Sequence, residues 1–128
     1  MIIDINKQCE NDENIDIGEL QKETIESLKE YIGKLSPKLK EMVIELRTNI
    51  QDDTWEYLRM MIDGFNWVIE AYNGTSSIIN ATGEIDENAI QKTVDELGKA
   101  YIYMDAERVA NSIEDGVIPF LALIEKNI

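Results

Sequence analysis

The sequence contains no histidine among its 128 residues, and this absence restricts the possible chemistry more than any motif does. A Ser-His-Asp triad, a zinc site with histidine ligands, a Glu-x-x-His di-iron site and a histidine phosphorelay are all excluded. The single cysteine, Cys9, cannot form a disulfide within the chain, and its polar neighbours do not indicate a metal site. Any metal ion would therefore be held by oxygen ligands, which favour Mg²⁺, Mn²⁺ or Ca²⁺.

Basic residues are also scarce: 12 lysines and arginines stand among 26 aspartates and glutamates, which gives a net charge of −14. Proteins that bind nucleic acids or anionic membranes need clusters of lysine and arginine, because these side chains neutralise phosphates. Such clusters are missing here, so we predict that neither nucleic acid nor a membrane is a partner. The charge is typical of a solubilising surface, and the other interpretation is a basic partner or a divalent cation.

Long apolar runs are missing too. No stretch approaches the ~20 consecutive apolar residues that span a bilayer. The first residues lack the basic region, the apolar run and the small-residue cleavage site of a signal peptide. We therefore predict a cytoplasmic location.

The pattern that remains is helical. A chain of 128 residues is predicted to form one domain, and no segment alternates polar and apolar residues as a strand does. The predicted fold class is all-α: an antiparallel bundle of four to five helices with a kinked C-terminal helix. The bundle covers residues 15–128, and residues 1–14 form an N-terminal arm that we predict to be mobile.

The stretch from Asp53 to Tyr72 is predicted to be the helix around which the bundle is organised. At about 100° per residue it is apolar over most of its circumference, and only a narrow stripe stays polar. Such a helix is either covered by several neighbours or keeps one face for a partner. The sequence leaves open whether residues 37–81 form one helix or two.

Two helices are predicted in the chain before Asp53. The first is predicted to begin at a capping box of Asp16 and Glu19 and to end at Gly33. Ser36 is a cap and Pro37 a first-turn proline, which together predict an antiparallel hairpin into the second helix. The core stripes of these two helices include Leu20, Leu28, Tyr31, Ile32, Leu35, Leu39, Met42, Val43, Leu46 and Ile50.

Aspartates predict the starts of the later helices. Asp53 and Glu56 form a second capping-box pattern, and Asp86 and Asp105 each precede a helical apolar stripe. Pro119 lacks a backbone N–H and is predicted to bend the last helix in the turn before it.

Four residues of the central helix form a candidate partner-binding strip: Met60, Gly64, Trp67 and Ala71. They lie away from the main apolar stripe, at spacings of three and four residues. A glycine lets a second helix approach closely, and an indole provides a large contact area. If no helix of the same chain covers the strip, we expect it to bind another protein or a second copy of the chain. Of these two partners the sequence favours the second copy, a homodimer.

Two short patterns in the sequence are similar to patterns of a protein family. The first is DGFNW at residues 63–67, and the second is the spaced set Asp105, Val109, Ala110, Ile113, Glu114 and Pro119. They resemble an uncharacterised family of small all-helical proteins from low-GC Gram-positive bacteria, to which no activity is assigned. The sequence departs from that pattern at Asn111, where an acidic residue is expected, and at Asp115, where an aromatic residue is expected. The resemblance implies a helical fold and a bacterial cytoplasmic origin, and it transfers no functional residue.

An enzymatic alternative rests on carboxylates. All-α nucleotide pyrophosphohydrolases of the MazG type hold Mg²⁺ with paired glutamates on one helix and Glu-x-x-Asp on another, because Mg²⁺ prefers hard oxygen ligands. Glu19, Glu23 and Glu26, together with Glu96, resemble this metal-binding set. Lys99 stands where the motif requires its aspartate, and the first three glutamates lie opposite the predicted core stripe.

The function that we predict is a protein–protein interaction module of the helical-bundle type: an adaptor, a chaperone or a regulator. No glycine-rich phosphate loop, cysteine pair or EF-hand loop is present in the sequence. We therefore name no catalytic residue, expect no cofactor and favour a non-enzymatic role over the hydrolase alternative.

Overall fold

The computed structural model describes the backbone of residues 8–128 and the side chains of residues 18–128. In this part of the chain every regular element is helical: α1 (Gln8–Thr48), α2 (Thr54–Ile79), α3 (Glu87–Ile102), α4 (Ala106–Ser112), a π segment (Ile113–Val117) and α5 (Ile118–Lys126). The last three follow one another without interruption, so the described residues form four helical rods. The predicted all-α fold class is confirmed, whereas the antiparallel arrangement of the whole bundle stays a prediction.

The longest element, α1, passes through Gly33 and Pro37, so the predicted hairpin at this point is wrong. A proline inside a helix costs ~3 kcal/mol and a glycine ~1 kcal/mol. The apolar residues on the two sides of Pro37 are in phase, however, and all are buried: Leu28, Ile32, Leu35, Leu39, Met42 and Leu46. At ~1.5–3 kcal/mol for each buried side chain, one continuous stripe outweighs both local costs. Gly33 and Pro37 themselves are exposed to solvent.

The start of α1 also differs from the prediction, because the helix begins at Gln8 and not at the capping box of Asp16 and Glu19. No proline or glycine lies between Gln8 and Asp16, so nothing local stops the helix in that stretch. Residues 8–14 of the predicted arm are therefore part of α1, and residues 1–7 lie outside the described residues.

The centre of the bundle is α1, which packs against α2, α4, the π segment and α5. The prediction that the chain is organised around residues 53–72 is therefore wrong. The helix α2 turns only one side to the core, through buried residues such as Phe65 and Tyr72. Their rings pack edge to face on Phe120 of α5, with centroids 6.2 and 5.3 Å away. The other side of α2 keeps several of its apolar residues at the surface.

Residues 37–81 form two helices, since α1 ends at Thr48 and α2 begins at Thr54. The predicted capping box does not form: Asp53 is the N-cap residue, but its side chain makes no capping hydrogen bond. The buried Thr54, the first residue of α2, bonds instead to the residues before it. Its hydroxyl accepts a hydrogen bond from the Gln51 N–H (2.7 Å) and donates one to the Glu45 carboxylate. This network ties the end of α1 to the start of α2.

Two of the predicted caps are confirmed. The Asp86 carboxylate accepts hydrogen bonds from the first-turn N–H groups of α3, at 3.0 and 3.2 Å. The Asp105 carboxylate accepts one from the Arg108 N–H at 3.2 Å. Between these helices, the turn after α3 contains a residue in the left-handed conformation, Met104 (φ +52°). The Asp105 N–H donates a hydrogen bond to the Ala100 carbonyl at 2.9 Å. Glycine is the usual residue in such a helix-ending motif.

A π segment lies in the turns before Pro119, where the sequence predicts a bend, and the bend itself stays a prediction. The Ile118 N–H donates to the carbonyl of Ile113, five residues back, where an α-helix would use the fourth. Gly116 lies within this segment, against Thr93 of α3, and a Cβ at that glycine would overlap the threonine side chain. The absence of a side chain at Gly116 therefore lets α3 approach the C-terminal rod closely.

Some residues of the predicted stripes lie at the surface instead. Ile50 and Met104 are exposed because they lie beyond the ends of α1 and α3. Leu20 is exposed on α1, beside residues 67–75 of α2. Among the described helices, none combines the length and the apolar character that crossing a membrane requires.

Candidate functional site: the groove between α1 and α2

The candidate site is the outer groove between residues 20–45 of α1 and residues 54–75 of α2, called here the α1–α2 groove. A hydrogen bond joins the two helices near each end. Gln21 Nε2 donates to the Gly74 carbonyl at 3.3 Å, and the Thr54 hydroxyl donates to Glu45. From residue 21 to residue 45, α1 rises by about 36 Å at ~1.5 Å per residue. The groove is thus as long as six to seven helical turns, by about 5.4 Å per turn.

The middle of the groove is bridged by Tyr31 of α1 and Trp67 of α2. Their rings meet edge to face, with centroids 5.4 Å apart and planes at 76°. Gly64 makes room for Tyr31, because a Cβ at this position would overlap the tyrosine hydroxyl. The close approach at Gly64 is therefore made by a side chain of the same chain. This bridge separates two cavities.

The two cavities have similar volumes and mainly apolar walls. One, of about 440 Å³, is lined by Tyr31, Leu35, Lys38, Glu41, Met42, Glu45, Tyr57, Met60 and Met61. The other, of about 400 Å³, is lined by Leu20, Gln21, Thr24, Trp67, Glu70, Ala71, Gly74 and Thr75. Each cavity can receive apolar side chains, and the first also has Lys38, Glu41 and Glu45 in its wall.

Four large apolar side chains of the groove are exposed. Leu20 exposes 61% of its surface, Tyr57 54%, Met60 64% and Trp67 39%. Methionine adapts its shape to a partner, and aromatic side chains provide a large contact area with few rotatable bonds. The chemistry that the arrangement supports is the binding of an apolar surface.

The structure places the four residues of the predicted strip in this groove, in different situations. Met60 and Trp67 are exposed, Gly64 lies under Tyr31, and Ala71 is buried at the wall of the second cavity. Their role in binding a partner stays a prediction.

Three groove residues were not identified from the sequence as candidates for binding: Leu20, Tyr31 and Tyr57. A signal exists for Tyr57, because it extends the strip by one more step of three residues before Met60. Leu20 and Tyr31 belong to another helix, and no local pattern pairs them with Trp67. Their position depends on how α1 packs against α2.

The carboxylates of the hydrolase alternative lie elsewhere. Glu19, Glu23 and Glu26 are exposed on α1, and Glu96 of α3 pairs with the Arg108 guanidinium at 2.7 and 2.9 Å. Within residues 18–128, no three carboxylate or cysteine side chains come close enough to hold a metal ion. The structure therefore does not bring these four glutamates together.

One buried tyrosine has a strongly shifted pKa, and it lies on the core side of α2. Burial, and then the hydrogen bond that the Tyr72 hydroxyl donates to Glu87 (2.7 Å), raise the pKa of Tyr72 to about 12. The group is therefore a neutral donor that holds α2 against the start of α3. It contributes to the fold and not to the groove.

The comparisons with known proteins show a family and no further relative. No curated protein and no solved structure matches the chain significantly. The profile of one family, described as a domain of unknown function, matches residues 23–127 and includes nearly the whole α1–α2 groove. The predicted resemblance to an uncharacterised family is confirmed to this extent, and its range among bacteria stays a prediction. The chain belongs to the DUF8042 family.

Proposed function

We propose that the chain is a protein–protein interaction module, acting as an adaptor, a chaperone or a regulator, which binds a helix of its partner in the α1–α2 groove. The observation that carries this proposal is the exposure of Leu20, Tyr57, Met60 and Trp67 along a single groove. Single exposed apolar residues are ordinary on protein surfaces, whereas a group of large ones marks an interaction site.

The shape of the groove favours a helix as the occupant. The groove follows α1 over about 36 Å, the length of a ~24-residue helix at ~1.5 Å per residue. An amphipathic helix presents apolar residues at intervals of three, four and seven positions along one face. Two of these residues can enter the cavities on either side of the Tyr31–Trp67 bridge.

The core of the bundle does not need the exposed groove residues. The buried side of α2 already carries Leu58, Phe65, Val68 and Tyr72, and the rings of Phe65 and Tyr72 pack on Phe120 of the C-terminal rod. Met60 and Trp67 lie on the other side of the same helix. The methionine and the tryptophan are therefore available for contacts outside the chain.

A capture experiment tests the proposal. The wild-type chain, a groove variant (Met60→Ala with Trp67→Ala) and a control variant (Ile102→Ala with Tyr103→Ala) are immobilised and exposed to lysate of the native host. The control removes two side chains that are 75% and 74% exposed at the α3–α4 turn, outside the groove. We expect a partner that the wild type and the control retain and the groove variant loses. Equal retention by all three variants would contradict the proposal.

A second copy of the chain is the other occupant that the sequence predicts. Sedimentation of the wild type and the groove variant distinguishes this case, because a homodimer through the groove would dissociate in the groove variant alone. Truncation of a central interface aromatic often costs ~2 kcal/mol or more, which corresponds to roughly a 30-fold change in affinity.

A further inference from the structure

The charges beside the α1–α2 groove are mostly negative. Ten charged residues of the two helices lie within about 100° of Tyr31 or Trp67 around their helix axes. Seven are acidic and three basic: Glu23, Glu30, Glu41, Glu45, Glu56, Asp63 and Glu70 against Lys34, Lys38 and Arg59. On α2 the acidic residues Glu56, Asp63 and Glu70 follow one another at intervals of seven, about 10.5 Å at ~1.5 Å per residue.

This distribution bears on the choice between the two occupants. Every copy of the chain carries a net charge of −14. Two copies that met through their grooves would bring two sets of acidic edges within contact distance, well inside the screening length of ~8 Å at physiological salt. Like charges placed against each other across an interface disfavour the complex, and opposite charges favour it.

We infer that the occupant of the α1–α2 groove is a basic amphipathic helix of a different protein. Its apolar face would lie on Tyr57, Met60 and Trp67. Lysines or arginines on its flanks would face the acidic row of α2 and the glutamates of α1, which outnumber Lys34 and Lys38 there. This inference rests on the proposed function and replaces the homodimer that the sequence favours.

The spacing of the acidic edge supports this geometry. In helix assemblies, charged residues that flank an apolar seam at intervals of seven choose the partner and its orientation. Glu56, Asp63 and Glu70 have that interval, and Glu23 and Glu30 repeat it on α1. Each exposed ion pair adds little affinity, but a row of them rejects a partner of the wrong charge. The apolar contacts supply the affinity, and the acidic edges supply the selection.

Three synthetic helical peptides of equal length test the inference. The first has an apolar face of leucine and methionine and lysines at all flanking positions. The second keeps the apolar face and replaces every lysine by glutamate. The third has the composition of the first in an order that gives no apolar face. Binding of each peptide to the wild type, the groove variant and the Ile102→Ala/Tyr103→Ala control is measured by fluorescence anisotropy.

We expect the wild type and the control to bind the amphipathic lysine peptide at least about tenfold more tightly than either of the other two peptides. A change in affinity of about tenfold is typical when a central interface contact is lost. The groove variant should lose a similar factor. In a charge-reversed chain, Asp63→Lys with Glu70→Lys, the preference should move towards the glutamate peptide. Added salt should weaken the lysine peptide and leave the glutamate peptide little changed or slightly tighter.

Each contrary outcome has a separate meaning. If the glutamate peptide binds the wild type as tightly as the lysine peptide, the basic helix is refuted while the groove as a binding site survives. A wild-type dimer that the groove variant dissociates would make the second copy the occupant and would also refute the basic helix. If no peptide prefers the wild type to the groove variant, the proposed function fails together with the inference.

Discussion

Both sides of α2 carry large apolar side chains, but these side chains have different surroundings. On the core side, Phe65 and Tyr72 are buried against Phe120. On the groove side, Met60 and Trp67 remain exposed, and Tyr31 is the α1 ring that packs against the tryptophan. An apolar helix face is therefore evidence of burial only where another helix of the chain packs on it. Here the C-terminal rod covers one face, and on the other face Met60 and Trp67 stay exposed.

The largest expected effect is a difference in stability between one substitution on each side of α2. Phe65→Ala should lower the free energy of unfolding by ~3–5 kcal/mol, because it opens a cavity beside Phe120. Trp67→Ala should lower it by at most ~1.5 kcal/mol, because the ring is partly in solvent and loses mainly the Tyr31 contact. Urea unfolding of both variants measures the difference. Similar losses would show that Trp67 is a core residue.

A pair of glycines on α2 gives the next test. Gly64→Ala should destabilise the chain by ~1–2 kcal/mol, since the overlap with Tyr31 outweighs the ~1 kcal/mol that alanine gains in a helix. Gly74→Ala meets no neighbouring atom within 4 Å, so it should stabilise the chain by up to ~1 kcal/mol. Thermal unfolding compares the two variants. Equal stabilisation by both would mean that Tyr31 does not pack over Gly64.

Helix boundaries could be predicted from the sequence where local chemistry determines them. Asp86 and Asp105 were identified correctly, because an N-cap depends only on the next three residues. Gly33 and Pro37 were misread for the opposite reason. Their local preference for a break is real, but the apolar stripe from Leu28 to Leu46 runs through them, and the helices that bury this stripe come from distant parts of the chain.

A smaller and opposite effect is expected at the end of α3. Met104→Gly should stabilise the chain by ~0.5–1 kcal/mol. The left-handed conformation costs a non-glycine residue ~1–2 kcal/mol, and the larger entropy that glycine loses on folding offsets part of this gain. Tyr103→Gly is the matched control and should destabilise it, because that residue has a φ of −85°. Thermal unfolding measures both. No gain for Met104→Gly would contradict a strained turn.

The last expected effect is comparably small and depends on pH. At neutral pH, Tyr72→Phe should cost ~0.5–1.5 kcal/mol, the usual worth of the hydrogen bond to Glu87. The pKa of Tyr72 is raised from 10.0 to about 12 in the folded chain, so the native state holds this proton more tightly than the unfolded chain. The contribution of the Tyr72 hydroxyl to the free energy of unfolding is therefore complete below pH 10 and is lost as the pH rises towards 12. Denaturant unfolding from pH 8 to pH 12 should show the gap between wild type and variant shrinking and then reversing. A constant gap would contradict the raised pKa.

The candidate site could be predicted only in part. The strip Met60, Gly64, Trp67 and Ala71 is visible because its members lie on one helix at helical spacing. Leu20 and Tyr31 could not be assigned to it, since their distance from Trp67 follows from how α1 and α2 pack. The same holds for the acidic residues beside the groove. Each row of charges on one helix can be read from the sequence, but only the packing of α1 against α2 places both rows beside one groove.

The most direct test of the central claim, that the α1–α2 groove is the binding surface, uses the methionines of the chain. Wild-type protein with ¹³C-labelled methionine methyl groups is titrated with the amphipathic lysine peptide and followed by NMR. Met42, Met60 and Met61 line the first cavity of the groove, whereas Met104 lies at the α3–α4 turn and is an internal control. We predict shifts of the three groove methyl signals and an unchanged Met104 signal. Bound peptide that shifts Met104 and leaves the groove methyl signals in place would contradict the account.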